Sequence, residues 1–537
     1  MYPRILPALI AIFAILAPAF AQRDAAGGPD RTLRVNVGTP PETIDTAVMT
    51  GIPESRIANF LQEGLVSVDA ESKPLAAAAV EWEHNDAFTE WTFRLRPGMK
   101  WHNGDPVTAH DFVFGVRRIL DPRTQGKYAD MVTRFLKGGA DYYKNREKTW
   151  DTPFEGVEAT DDLTVVYRLN FPAPFFPTVV SHTSFFPQNR KVVEAGGRAW
   201  ANDVKTYVGN GPFRLVEHRL RDRMVLAKAD TYWDKDAIWM NEVVIRMIED
   251  ENTELAAFER RELDVTNTVP LTEVPRLKQT PEWFVGPYLG TYYVAFNTTK
   301  APFDNRDVRM AFSAAIQRDV IVERITRRGE QPGSGIVPAG VYMPDGTNYR
   351  ERAGRMTPEF SVEKARELLK KAGFGPGGKP FPAATYTYNT LEEHKIIGEQ
   401  LQSMWRTALG VPLRLENVEW KEKLRRGREQ DFQLMRNAWI ADYVDPMSFL
   451  EIFLSDDGNN DGKYNNPKFD ETVHAAARET DPEKRYQLLI EAERILMDDA
   501  AVAPIYHYVS PRLIQADVKG IVQAGVGNLY MTKARRE

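Results

Sequence analysis
The strongest constraint on the fold is that two periodicities interleave along the whole chain. LRVNVGT (33–39), LTVVYRL (163–169), EVVIRMI (242–248), TYYVAFNT (291–298) and PLRLENV (412–418) read as strands. Between them, SVEKARELLKKAGF (361–374), EEHKIIGEQLQSMWRTAL (392–409) and DPEKRYQLLIEAERILM (481–497) carry the helical period. Asp481 and Pro482 mark one start, a capping side chain followed by a ring whose fixed φ suits the first helical position. Thr108 predicts the cap of a helix reaching about Ile119, and DVRMAFSAAIQRDVIVERI (307–325) predicts one amphipathic helix. VGNGPFRLVEHRLRDRMVLAKADTYW (208–233) predicts a tight turn and a hairpin. Strands mixed with helices throughout imply α/β construction, and 537 residues are too many for one core, so two or more lobes are expected.

The first residues, MYPRILPALIAIFAILAPAFAQRD, have one early positive charge, an apolar run to about Phe20, and the small-x-small pattern Ala19-Phe20-Ala21. This predicts a secretory leader over 1–21, removed on export. The run is short for a membrane span and holds Pro7 and Pro18. A lipoprotein needs a cysteine at the cleavage site, and the chain has no cysteine. Export to a bacterial periplasm is expected, with no lipid anchor. The lack of cysteine also excludes disulfides and thiolate chemistry. A net charge of −6 provides no basic field, so no nucleic-acid partner is expected.

Enzyme and metal signatures fail one after another. GFGPGGKP (373–380) places Pro380 where a phosphate loop needs Ser or Thr, and it follows a helix, so it reads as a helix stop and turn. The eight histidines form no HExxH pair, and His102 and His110 have weak metal spacing. No G-x-S-x-G elbow occurs. No catalytic residue, metal site or cofactor is expected. A secreted hydrolase is the rival from another class, and it would need a constellation the sequence does not show.

One charge stands out. In RNAWIADYVDPMSFL (436–450), Asp442 lies in a mostly apolar stretch, six residues after Arg436. Burying a carboxylate is expensive unless a cation meets it. The residues alone leave three partners open: a structural salt bridge, a helix cap, or a ligand ammonium. Were the segment extended, 436 and 442 would share parity and face one side.

Several stretches together resemble the extracellular solute-binding proteins of ABC importers, in the large peptide/nickel/opine class. They are EGLVSVDAESKPLAAAAVEWE (63–83) with WTFRLRPGMKWHNGDPVTAHDFVF (91–114), GNGPFRLVEH (209–218) with TYWDKD (231–236) and RRELDV (260–265), YYVAFNTTKAPFDNRDVRMAFSAAIQRDVIV (292–322), and NAWIADYVDPMSFLEIFLSDDGNNDGKYNNPKFD (437–470). GIPES (51–55) and the WIADYVDP region are most similar to the oligopeptide-binding subgroup.

The resemblance implies a two-lobed periplasmic-binding-protein fold with an additional inserted domain, three α/β domains around a ligand cleft. One lobe would combine 22–62, 187–290 and 510–537; the insert would be 63–186 and the second lobe 291–509. It implies a monomeric receptor that hands short peptides to an inner-membrane ABC permease. The same fold could hold a murein peptide, dipeptide, nickel chelate, haem or opine instead. Asp442 matches the family's partner for the peptide ammonium, after Trp439, Ile440 and Ala441. Arg436 matches a position used for a peptide carboxylate, for which a planar guanidinium is suited. His394 matches one that meets the carboxylate of longer peptides. Thr50, Gly51 and Ile52 match the segment that pairs with ligand main chain, although many relatives carry an acidic residue at Thr50. Trp420, Trp439, Tyr128 and Tyr508 match aromatic or lining positions, with core packing as the plain alternative. Asn437 and Ile440 are bulkier than their counterparts, which implies a different side-chain space.

Overall fold
The structure, a computed structural model, describes residues 30–49, 51–201, 203–343, 345–375 and 378–537. The expected leader over 1–21 and the expected ligand-pairing residue Thr50 lie outside the described residues. Three sheets organise the chain. The first orders Thr32–Asn36, Glu242–Arg246, Arg223–Lys228 and Phe213–Arg219, with the first two parallel and the rest antiparallel. Leu33 and Val35 of the alternating LRVNV run are buried in its core. The second is antiparallel, Ala79–His84, Glu90–Leu95, Thr164–Arg168 and Val157–Asp161. The helix Ala109–Ile119 accompanies it and starts as expected, Thr108 and Asp111 forming a reciprocal capping box.

The third sheet has six strands in the order Gln331–Pro332, Val502–Leu513, Trp283–Phe296, Leu434–Ile440, Ala384–Asn389, Leu413–Val418. Its two longest members pair antiparallel from Trp283↔Leu513 to Ala295↔Val502. At about 3.3 Å per residue such strands reach roughly 40 Å. At one end Ile514 bridges Val265, which bridges Val35 of the first sheet. At the other end the same two strands are the second and third of the six-stranded sheet. The chain therefore passes twice between these regions within one ribbon. The sequence signalled only the second half of Trp283–Phe296, because WFVGPYLG mixes Gly286, Pro287 and Gly290 into the strand. The pairing register slips between Pro287 and Thr291.

The expected single helix over 307–325 is broken. Arg306–Ala314 stops, the chain straightens through Gln317, and Arg318–Val320 leads into a wide π-type turn, Ile321–Thr326. Arg318 explains the break. It is buried, and its guanidinium donates to the carbonyls of Ser313 and Pro504 and to the Ser313 hydroxyl, tying down the freed end of the first helix. The stop after Val362–Lys371 is as expected, with Gly373 at φ +90°, a left-handed position that favours glycine.

Two buried ion pairs fix neighbouring regions. Arg118 of the second-sheet region donates to both oxygens of Asp45 at 2.6 Å, and the Trp200 indole N–H adds a bond of 2.9 Å. Arg485 donates to both oxygens of Asp445 at 2.7 and 2.9 Å, and its guanidinium lies 5.1 Å from the Phe175 ring. Phe175 stacks on Tyr443 at 4.9 Å, and Arg134 pairs with Glu451, so the 63–186 segment is closed against the 434–457 segment. Replacing Arg118 by Met should strand the Asp45 carboxylate and lower stability by about 3–5 kcal/mol, read as a drop in the denaturant midpoint. An unchanged midpoint would mean that this pair does not tie the two regions.

Candidate ligand-binding site
A cavity of about 180 Å³ lies where three parts of the chain meet. Gly51, Ile52, Ser55, Arg56 and Tyr288 line it from one side, Tyr128, Ser181 and His182 from the second-sheet region, and Ile440, Ala441 and Asp442 from the end of the third-sheet strand Leu434–Ile440. The helix Ile52–Leu61 opens at this wall, with extended Gly51 as its cap position. The opposite wall is set by strand pairing. Ile440 lies opposite Gly290, and the Ala441 N–H donates to the Leu289 carbonyl at 2.8 Å. A Cβ on Gly290 would come within 2.3 Å of Ile440 Cδ1 and 3.0 Å of the Tyr508 ring, so a larger residue there would push the Ile440 side chain aside.

Asp442 is carried just past the strand end, and its backbone N–H donates to Ser448 Oγ at 3.0 Å. The parity argument from an extended 436–442 segment is therefore corrected: a turn, not strand alternation, aims Asp442. Both structural alternatives for its carboxylate fail. It caps no helix, and among the described residues it has no ion pair. The cation that most influences it, Arg134, is engaged by Glu451 and lies 3.6 Å from Asp457. Asp442 is half-buried and lines the cavity. Burial pushes its carboxyl up to about 6, and the weaker pull of Arg134 does not reverse this. Beside it, burial raises Tyr128 to about 12, reinforced by Asp442, and lowers His182 to about 4. His182 is thus a neutral ring, 4.5 Å from Tyr128.

Arg436 and His394 do not line this cavity and form a second group. The buried Arg436 guanidinium donates to the Tyr508 hydroxyl at 3.0 Å and to Asn389 Oδ1 at 3.4 Å, and lies 4.8 Å from the Tyr292 ring. Among the described residues it meets no carboxylate at ion-pair distance. His394, in the first turn of Glu392–Leu409, is 5.6 Å from Tyr292 and leaves Nδ1 without a partner. Burial, then Arg436 and Lys423, lowers it to about 3, so it is neutral. Asn437 donates to Asp461 at 3.0 Å and accepts from Lys423 at 2.9 Å, which ties its side chain into the protein. Trp439 is half-buried with a free indole N–H, and Trp420 is 48% exposed. Sequence reasoning missed Arg56, Tyr288, His182 and Lys423. The only signals available were Arg56 directly after GIPES and Lys423 three residues after Trp420 in a helix. Among the described residues no group of carboxylates and histidines could hold a metal, and no helix is long and apolar enough to cross a membrane.

The uncompensated Asp442 makes a stability prediction. A raised carboxyl pKa means the fold binds this proton more tightly than the unfolded chain, so the contribution favours folding as pH falls through about 6. Asp442→Asn should stabilise the empty protein near pH 8 by on the order of 1–2 kcal/mol, and the gain should fade toward pH 4.5. Melting curves across that range check it. A destabilised Asn variant at pH 8 would mean that the carboxylate has an internal partner.

Residues 73–461 match the model of bacterial extracellular solute-binding proteins, family 5 (middle). The periplasmic oligopeptide-binding protein OppA of Haemophilus influenzae is 35% identical over 515 residues, 94% of this chain and 93% of the relative. The dipeptide-binding protein DppE of Bacillus subtilis is 34% identical over 498 residues, 93% of this chain and 90% of the relative. The crystal structure of Haemophilus influenzae OppA in complex with RPPGFSPFR superposes with a TM-score of 0.77 at 33% identity, covering 95% of this chain and 99% of that one.

Proposed function
Because the chain belongs to the bacterial extracellular solute-binding proteins, family 5, we propose that it is a receptor that captures short peptides in the cavity between its lobes and delivers them to an ABC permease of the inner membrane. The observation that carries this reading is Asp442, a carboxylate residue on the cavity wall with no ion-pair partner among the described residues. A peptide's α-ammonium supplies that cation. Gly51 and Ile52 lie on the wall where extended ligand main chain can pair, which gives affinity independent of side chains. Arg436, with His394 beside it, takes the far carboxylate, and Tyr508 orients the guanidinium. Trp420 and Trp439 offer flat apolar surface to ligand side chains. Tyr128 closes the ammonium end.

The family is one of solute-binding receptors, and the reading includes no covalent step. Ligand favours the closed arrangement, which the permease engages. The domain boundaries that go with this are 22–62, 187–290 and 510–537 for the first lobe, 63–186 for the insert, and 291–509 for the second lobe. Residues 1–21 serve as the removed leader, and the mature monomer works in the periplasm.

Mass spectrometry of material co-purifying with the native protein should find short peptides. A metal chelate, haem or an opine in their place would overturn the peptide assignment. In calorimetry, Asp442→Ala should weaken a free-amine peptide by about tenfold or more while changing its N-acetylated form little. An equal loss for both would remove Asp442 from its role.

A further inference from the structure
The cavity carries a cation that the reading above does not use. Arg56 lines it from the helix Ile52–Leu61 and is only 6% exposed. Its Nη1 donates to Asn267 Oδ1, and its Nε has no hydrogen-bond partner. Among the described residues Arg56 has no carboxylate at ion-pair distance. The carboxylate that acts on it from farther away is Glu254, which is occupied by the N–H groups of Asn267 and Thr268 and the Thr268 hydroxyl. Glu254 also acts on a second buried guanidinium, Arg512. Arg512 donates to Ser510 Oγ and Gln523 Oε1, both at 2.7 Å, and leaves Nε and Nη1 unpartnered. One distant carboxylate thus serves two buried guanidiniums. Burial lowers Arg56 to about 10, and Arg512 falls further because burial and Arg56 act together.

A buried cation without a counter-ion is expensive, and an anion entering the cavity relieves it. The forked geometry of guanidinium suits a carboxylate. Asp442 lines the same cavity, so one ligand that carries both an ammonium and a carboxylate can meet both side chains. We propose that Arg56 receives a ligand carboxylate adjacent to the ammonium held by Asp442. Two sources share that chemistry, an acidic side chain on the first residue and the α-carboxylate of a dipeptide. Arg436 lies outside this cavity and is a separate carboxylate position. The proposal rests on the peptide reading above.

The test is calorimetry on the ligand-stripped full-length mature protein with two matched pairs, Glu-Ala-Ala against Gln-Ala-Ala and Ala-Ala against its C-terminal amide, with Ala-Ala-Ala as reference. At least one acid should bind about tenfold tighter than its amide, and the pair showing it identifies the source. Arg56→Gln should abolish that preference, and Arg56→Lys should keep part of it. No discrimination in either pair, or a preference that survives in Arg56→Gln, overturns the proposal. Should Arg56→Gln fail to fold, the wild-type pairs with Arg56→Lys still decide, since an undiminished preference in Arg56→Lys would exclude a forked contact. Failure of Ala-Ala-Ala itself to bind would overturn the peptide reading, whereas its binding without discrimination would overturn only the role of Arg56.

Discussion
The antiparallel pairing of Trp283–Phe296 with Val502–Leu513 is the constraint on which the other features depend. These strands link the first-sheet region to the six-stranded sheet, and Leu434–Ile440 pairs along the flank of one of them. That pairing sets the height at which the chain leaves the sheet, and so where Asp442 stands. Gly290 belongs to the same strand and lets Ile440 close in. A slip of one residue in this register would turn the wall over and move Arg436 to the opposite face. The placing of Ile440 and Ala441 at the cavity, and so the point from which the turn to Asp442 starts, is therefore a consequence of one ladder of backbone hydrogen bonds.

The buried charges include mutual pairs and groups without a counter-ion at contact distance. Asp45 with Arg118, Asp445 with Arg485, and Glu493 with Arg350 are mutual pairs of good geometry. Glu493 also accepts from the N–H groups of Ile336 and Val337, so its oxygens are well satisfied. Such pairs hold elements in place and leave little field for anything else. Asp442, Arg436 and Arg56 lack a partner of opposite sign at contact distance. Among the described residues Arg318 and Arg512 also lack a carboxylate at ion-pair distance and are held by neutral oxygens, so what sets Asp442 and Arg56 apart is that they also line the cavity.

Sequence patterns located the regular elements well where local chemistry is strong. The helices at 392–409 and 481–497 and the capped start at Thr108 follow their patterns to within a residue or so. They failed where tertiary contact overrides local preference. Buried Arg318 interrupts a run with good helical period, and a long strand continues through Gly286 and Pro287 because its partner strand runs the same distance. In the site, Asp442 was legible as a charge in apolar company. Arg56 was not, because one arginine in a helix is ordinary until the fold removes its carboxylates from reach. Lys423 was hidden in the charge-rich run KEKLRRGRE, where only folding sets one cation apart from the others.

The seam between the 63–186 and 434–457 segments has a further consequence. Phe175 on Tyr443, Arg485 over Phe175, and Arg134 with Glu451 hold the halves together without touching the contents of the cavity. None of these five residues lines the cavity. In the closing mechanism proposed above, contacts of this kind would lower the free energy that ligand must add to shut the cavity. Shape alone is then a poor report of occupancy. On the permease reading proposed above, the tightness of this seam would set how often the permease meets an empty molecule in the closed shape.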